Sequence, residues 1–545
     1  MDTDSNFVEK NTIKQRREFE RFQTKTPVLL RWEKDSSFRF YEVENLTEKG
    51  FSSTTLLDEK IGSYVGLVLV ASEGLQINVE ARVVRRKEVY VTPPMYQIGF
   101  MVMKRKDFKG YQNLISSLSQ TVPSQSRRSF SRRGDPLSYQ GQEERRKKNR
   151  RGNFSIEQKI FNHNIGLDRW GSRYTYERVL QSACRSRVKT QERTKIMLGS
   201  NNYLGLSDHP YVKEATIRAI EKYGVGAGGV RVLSGTMDLH RELEEKIAHF
   251  KGHESCLLFS SGYVANLAAI STLVGKEDVI FCDERNHASI VDGCRMSGAI
   301  IRFYPHNNME SLRKKLSQYK EEKGKIIITD GVFSMDGDVA PLNQIVSIAK
   351  EFNAMTYVDD AHGTGVVGKG GKGSAALCGV HGKIDVTIAT LSKALGSVGG
   401  AVCGSKSIVK YVTHHSRYFI FTSALPPGVC ATVLASLEVI EREPEILEKL
   451  FQNRNKLITG LRTMGYNIPE TVSAIIPIII GDEDKTYELA NLLDELNVFV
   501  NAVSRPAVPR ELSRIRASVM ATHSDADIEE ALISFKNAGR MLGLI

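Results

Sequence analysis

Apolar and polar positions along the chain fall into three textures. Between residues 12 and 118 the apolar residues form short runs: PVLLRW, SYVGLVLV, LQINVEARVVRR and YQIGFMVM. Turn-forming pairs such as Glu73-Gly74 and Pro93-Pro94 separate them, and helical periodicity begins only after Lys106. Short runs divided by turns predict a small antiparallel β-barrel. Residues 119–160 carry few aliphatic side chains and many Ser, Gln, Arg and Gly, so they cannot bury enough apolar surface to order themselves. A disordered basic linker is expected there.

From 161 to 545 the pattern changes again. Stretches of helical period, such as HPYVKEATIRAIEKYG and DLHRELEEKIAHFKG, alternate with ESCLLFSS, DVIFCDE, GKIIITDG, AMTYVDDAHG and DVTIATLS. Strands alternating with helices predict an α/β unit whose mostly parallel sheet is covered on both faces. Ligands of such sheets sit at the carboxyl ends of the strands. The run AIIPIII is too short to cross a bilayer and contains Pro477.

The 545 residues carry a net charge of +12, and the segment Arg127–Arg151 alone holds ten Lys and Arg against three acidic residues. The excess therefore belongs to a connecting segment rather than to a folded nucleic-acid surface, and no DNA or RNA partner is expected. Seven cysteines without a CxxC pair argue against a disulfide framework or a zinc ribbon, and no metal is expected. The charged N-terminus shows no apolar signal segment, so a cytoplasmic location is expected. The linker could rest on an anionic membrane, although a solvated tether explains its charge as well.

Polar chemistry collects at the strand ends. After CLLFS comes Ser261-Gly262-Tyr263 and then an apolar helix, a turn whose free N–H groups suit a phosphate. The glycine-rich YGVGAGGVRVLSG follows a helix rather than a strand, which rules out a dinucleotide loop. His287 follows DVIFCDE, and Ser334 with two carboxylates follows KIIITDG. Asp359 and His362 follow AMTYV, where a buried strand-end carboxylate needs a cation or hydrogen-bond donors. A protonated pyridine nitrogen is such a cation. DVTIAT ends in Thr390, Ser392 and Lys393, a lysine suited to hold a carbonyl cofactor as a Schiff base.

In this order the segments GSNNYLGL, SSGYVANLAAI, NHASI, GVFSMDGDVAPL, VDDAHGTG, TLSKALG, FTSALPP and RIRASVMATHS resemble the α-oxoamine synthases. These are pyridoxal-phosphate enzymes of the aspartate-aminotransferase fold (fold type I), with a smaller C-terminal α+β domain. The resemblance spans about 199–525 and implies the decarboxylative condensation of an amino acid with an acyl-CoA or acyl-carrier-protein thioester. By it Lys393 binds pyridoxal 5'-phosphate, His287 stacks on the ring, Asp359 pairs with the ring nitrogen and His362 meets the ring oxygen. Gly262, Tyr263, Ser334, Thr390 and Ser392 match further cofactor contacts, and Thr422 matches one that reaches across a homodimer with shared active sites. Asn201 and Arg516 match substrate-binding residues. The look is closest to serine palmitoyltransferases. Glycine C-acetyltransferase (2-amino-3-ketobutyrate CoA ligase) and 8-amino-7-oxononanoate synthase share almost every motif. The segment 166–196 departs from the family form near the acyl-CoA entrance.

The first zone resembles PilZ modules, receptors of cyclic-di-GMP. Arg17 and Arg21 give the RxxxR spacing, and Asn45, Thr47 and Gly50 stand in NLTEKG for the second motif, read as a short polar loop. Thr47 keeps a hydroxyl where serine is usual. The competing functions are a simple aminotransferase and a non-catalytic cyclic-di-GMP receptor scaffold. The intact set Lys393, Asp359, His287 and Arg516 speaks against lost catalysis.

Overall fold

The computed structural model describes residues 177–319 and 323–545 and, ahead of them, the backbone of seven strands between Val28 and Arg105. The chain divides into two units, Met1–Gly171 and Ser172–Ile545. In the first, the strands are β1 (Val28–Lys34), β2 (Ser37–Glu42), β3 (Asn45–Thr47), β4 (Gly50–Thr55), β5 (Tyr64–Ala71), β6 (Gln76–Val89) and β7 (Met95–Arg105). They form one antiparallel sheet in the order β2-β1-β5-β6-β7-β4-β3. The four apolar runs are β1, β5, β6 and β7. The NLTEKG segment is a hairpin rather than a loop: Asn45 faces Ser52 and Thr47 faces Gly50 across β3 and β4. Two register shifts in the β6–β7 pair, at Glu80/Ala81 and Val83/Arg85, increase the local twist. Arg17, Arg21 and the linker 119–160 lie outside the described residues, as do the flanks of the expected barrel.

The second unit is built on a seven-stranded sheet. Its strands are β10 (Ser255–Phe259), β11 (Val279–Asp283), β12 (Ile300–Tyr304), β13 (Lys325–Asp330), β14 (Met355–Asp359), β15 (Val386–Thr390) and β16 (Gly400–Gly404), after a β8 (Arg187–Thr190) and β9 (Arg193–Met197) ribbon. The order is β10-β16-β15-β14-β13-β11-β12, and β16 is the one strand that runs opposite to the other six. Alternation along each strand explains the two helix layers. Ile280, Cys282, Ile326, Ile328 and Tyr357 pack against the helices Gly262–Leu273, Ala288–Ser297 and Lys406–His415. Val279, Phe281, Ile327 and Val358 face the opposite layer, Met309–Leu316 and Leu342–Glu351. This is the aspartate-aminotransferase-like arrangement.

Sequence pattern missed β16, because GGAVCG reads as a glycine-rich loop. The glycine has a local cause: a Cβ on Gly400 would lie 2.7 Å from the amide nitrogen of Gly262, so the strand start must be bare to pass the Ser261-Gly262 turn. The AIIPIII run forms β17 (Ile475–Ile479), which pairs with β20 (Arg514–Ser518), itself paired with β19 (Asn501–Val503). β17 is an edge strand, where Pro477 costs no ladder bond. The short β18 (Val498–Phe499) extends the β8–β9 ribbon. Among the described residues no helix is long and apolar enough to cross a membrane.

Of the adjacent carboxyls Asp359 and Asp360, only the first points to the strand-end cluster. Asp360 turns the other way, accepts from Ser374 N and meets the Lys251 ammonium, both side chains 1% exposed. Lys251 also donates to Thr364 and to the Lys372 carbonyl. Breaking one side of a buried pair strands the other charge. Asp360→Asn is therefore expected to lower stability by about 3–5 kcal/mol, read as an earlier urea midpoint; an unmoved midpoint contradicts it.

Candidate active site

Four parallel strands bring residues at or just beyond their carboxyl ends to one region. β14 ends in Asp359, which is 4% exposed and held by two donors: Asn266 Nδ2 at 2.6 Å and the Ala361 amide at 3.0 Å. Asn266 is itself fixed, with Tyr357 donating to its oxygen at 2.7 Å and its amide also reaching Ser289 at 2.9 Å. The neighbouring strand β13 ends in Asp330, in register with Asp359, and Asp330 accepts from the His287 amide at 2.8 Å. Burial first, then the Asp359 charge beside it, push Asp330 well above the ordinary carboxylate range.

His287 follows β11 and caps the helix Ala288–Ser297, its Nδ1 2.7 Å from Ser289 Oγ. Its ring is exposed and meets Tyr263 edge-on, centroids 6.2 Å apart. Lys393 lies just beyond β15 and is half-buried. Burial lowers its pKa to about 8, with Arg516 adding to the fall and Asp359 and Asp330 opposing it. At that value a minority of the amine, though far more than for an ordinary lysine, is neutral near physiological pH.

Ser261 caps the helix Gly262–Leu273 by accepting from Val264 N at 3.1 Å, leaving the Gly262 and Tyr263 amides without an intrahelical partner. Thr390 is buried against this turn, and a Cβ on Gly262 would run into its hydroxyl. Tyr263 is turned outward and donates to Asp292. Ser392 is exposed. Thr422 lines a separate cavity with Ser260, Arg231 and Tyr418.

Arg516 is 6% exposed on the central strand β20, yet its contacts are all neutral. Nε donates to the Ser334 carbonyl at 2.6 Å, Nη1 to Ser518 at 3.3 Å, and Nη2 to Asn201 Oδ1 at 3.3 Å and Tyr203 Oη at 3.4 Å. Ser334 thus serves this cluster through its main chain. Arg514, two residues earlier, pairs with Asp336 at 2.6 Å. A buried guanidinium without a carboxylate costs several kcal/mol, which a bound carboxylate recovers. The Tyr203 hydroxyl lies 2.7 Å from His362 Nδ1 and joins the two groups. Burial, then the Lys393 and Arg516 charges, hold His362 well below the ordinary imidazole range, so it is neutral.

Lys393, Asp359, His287, His362, Arg516 and Asn201 thus converge. Asn266, Asp330 and Tyr203 complete the cluster, and sequence reasoning passed over all three. Asn266 had a visible signal, one amide inside the apolar VANLAAI; Asp330 ends its strand just as Asp359 does.

The family model for aminotransferase class I and II matches residues 193–535. The chain belongs to that family of pyridoxal-phosphate enzymes. It is similar to the 8-amino-7-oxononanoate synthase of Thermoanaerobacter pseudethanolicus, 44% identical over 67% of this chain and 93% of that protein. It is also similar to the serine palmitoyltransferase of Sphingobacterium spiritivorum, 43% identical over 66% and 90%. A high-resolution structure of SPT with its PLP internal aldimine superimposes with a TM-score of 0.69 at 35% identity, over 71% of this chain and 98% of that one. Close likeness to these two enzymes places the chain among the acyltransferases of the α-oxoamine synthase type, with pyridoxal phosphate as cofactor.

The residues present fit that cofactor. A partly neutral lysine can bond its aldehyde, a buried carboxyl can pair with its ring nitrogen, and the bare turn at Gly262 can receive its phosphate. Because Lys393 titrates near 8 rather than at the ordinary lysine value, cofactor attachment to stripped enzyme is expected to quicken as pH rises through about 8. Absorbance-monitored reconstitution across pH checks this, and a rate still climbing only near the free-lysine range contradicts it.

Proposed function

We propose that the chain condenses L-serine with a long-chain acyl-CoA, releasing CO2 and CoA and leaving an α-amino ketone. The observation that carries this reading is the buried, carboxylate-free Arg516 beside a lysine of lowered pKa. Pyridoxal phosphate supplies an electron sink for the carbanion that attacks the thioester. Arg516, with Asn201 and Tyr203 on its outer nitrogen, holds the amino-acid carboxylate. Lys393 binds the cofactor and then, as a free amine, carries the α-proton. His287 presents a flat face for the ring, Asp359 meets its nitrogen and neutral His362 meets its oxygen edge. Gly262, Tyr263, Thr390 and Ser392 serve the phosphate side.

A second reading has support in the 44% identity to an 8-amino-7-oxononanoate synthase. The product in that name retains two carbons of alanine, so its acyl donor has seven carbons and a far carboxylate. Glycine, L-alanine and L-serine are to be titrated separately against the cofactor absorbance, followed by palmitoyl-CoA or the seven-carbon donor. Serine with palmitoyl-CoA is expected to release CoA fastest; alanine with the dicarboxylic donor doing so instead establishes the second reading. Arg516→Lys is expected to weaken amino-acid binding by about 10- to 100-fold, since lysine cannot make the paired contact. Unchanged binding refutes the role of Arg516.

We further propose a homodimer in which Thr422 of one copy serves the partner's site. Val225, Leu233 and Phe421 support it, being 82%, 84% and 73% exposed. For the first unit we propose cyclic-di-GMP binding through Arg17, Arg21 and the Asn45–Gly50 hairpin, with the basic linker able to touch anionic membrane. Calorimetry on the full chain is expected to show binding that Arg17→Ala with Arg21→Ala abolishes; no heat from the unaltered chain refutes it.

A further inference from the structure

The turn between β13 and the helix Leu342–Glu351 offers no reacting side chain, yet it holds the substrate-binding arginine. Val332 and Val339 bridge its two arms, and Phe333 N donates to the Asp338 carbonyl at 3.0 Å. On one flank Ser334 accepts from Arg516, and Asp336 takes Arg514 and, at 3.1 Å, Arg285. The other flank rests on His306, which follows β12. Its Nε2 lies 2.8 Å from Asp338 Oδ2 and its Nδ1 3.1 Å from Asp283 Oδ1, and its ring meets Phe333 edge-on at 4.4 Å. Asn307 reinforces the contact, its amide N donating to Asp283 at 2.9 Å and its side chain to Asp338 at 3.2 Å.

Both ring nitrogens therefore face carboxylate oxygens. A neutral imidazole carries one N–H and one lone pair, so it would set a lone pair against an anion; only the doubly protonated ring donates to both. The Asn307 amide also approaches Nε2, at 3.3 Å, but Asp338 is nearer and sets the proton there.

We propose that His306, as an imidazolium, is a positioning residue that locks the Val332–Val339 turn and, through the Ser334 carbonyl, aims Arg516 at the substrate carboxylate. This rests on the role proposed for Arg516. The charged groups around His306 are Asp283 and Asp338 on its ring, Glu284 accepting from its amide at 3.2 Å, and Arg285, Asp336 and Arg514 across the turn. Burial alone would lower its pKa, but the two carboxylate hydrogen bonds outweigh that and raise it to about 9. A raised pKa means the clamp is fully made below the unfolded value of about 6.5 and is lost as pH climbs through about 9.

The test uses holoenzyme and reads the dissociation constant of L-serine from the cofactor absorbance across pH. His306→Gln is expected to raise that constant about tenfold at neutral pH with little change in saturated turnover, and to remove the inflection near pH 9. Asp338→Asn, which keeps shape but withdraws one carboxylate, is expected to move the inflection to lower pH. A merely structural contact would not move it, and this variant decides the matter if His306→Gln fails to fold. Serine binding by His306→Gln equal to that of the unaltered enzyme, or an unmoved inflection in Asp338→Asn, overturns the proposal. Arg516→Lys separates the two ideas. If it binds serine normally, the carboxylate role fails; if it alone loses binding, only the role of His306 fails.

Discussion

A guanidinium buried without a carboxylate is the constraint on which the site turns. Arg516 makes four hydrogen bonds, all to neutral oxygens. Such a group is tolerable only if the strand carrying it cannot relax. β20 meets that condition as the central strand of its sheet, with Pro477 and Asn501 opposite Arg516 on either side. Arg514, at the same pleat position two residues earlier, shows the alternative outcome: a carboxylate from the β13 turn closes its charge. One strand thus presents two buried arginines, one paired with a carboxylate and one held by neutral oxygens alone.

The parallel sheet supplies the opposite charges by the same economy of position. Adjacent strands in register bring Asp330 and Asp359 side by side at their carboxyl ends. Two buried carboxyls so placed cannot both ionise freely, and Asp330 is the one pushed up. The donors are divided accordingly. Asp359 receives Asn266 and the Ala361 amide, while Asp330 anchors the His287 main chain. What distinguishes the two acids is set largely by donors far away in sequence, Asn266 for Asp359 and His287 for Asp330.

That is also where legibility in the sequence stops. Strands ending in Asp359, in His287 after its turn, and in Lys393 were visible because an ionisable group closing an apolar run breaks the pattern. The choice between Asp359 and Asp360 follows from alternation once the strand's last residue is known, but the pattern does not give that residue. Arg516 was found by resemblance, since an arginine in RIRAS looks like any strand arginine until its missing partner is seen. Tyr203 and Asn266 are contacts over |i−j| of 159 and 93, beyond any local period. In the first unit β1 and β5 to β7 were apolar enough to read, whereas SFRFYE, NLT and GFSSTT carry too many polar residues to stand out.

The lysine and the arginine are not independent. Arg516 adds to the burial that lowers Lys393, while Asp359 and Asp330 resist it. Under the role proposed for Arg516, a bound carboxylate cancels part of that positive field, so Lys393 becomes more basic when an amino acid is in place. Its loss as CO2 restores the field and makes the ammonium more acidic. In the role proposed for it, Arg516 would therefore also bias the lysine toward taking a proton before decarboxylation and giving it back afterwards. An arginine at position 516 already paired with a carboxylate could play no such part.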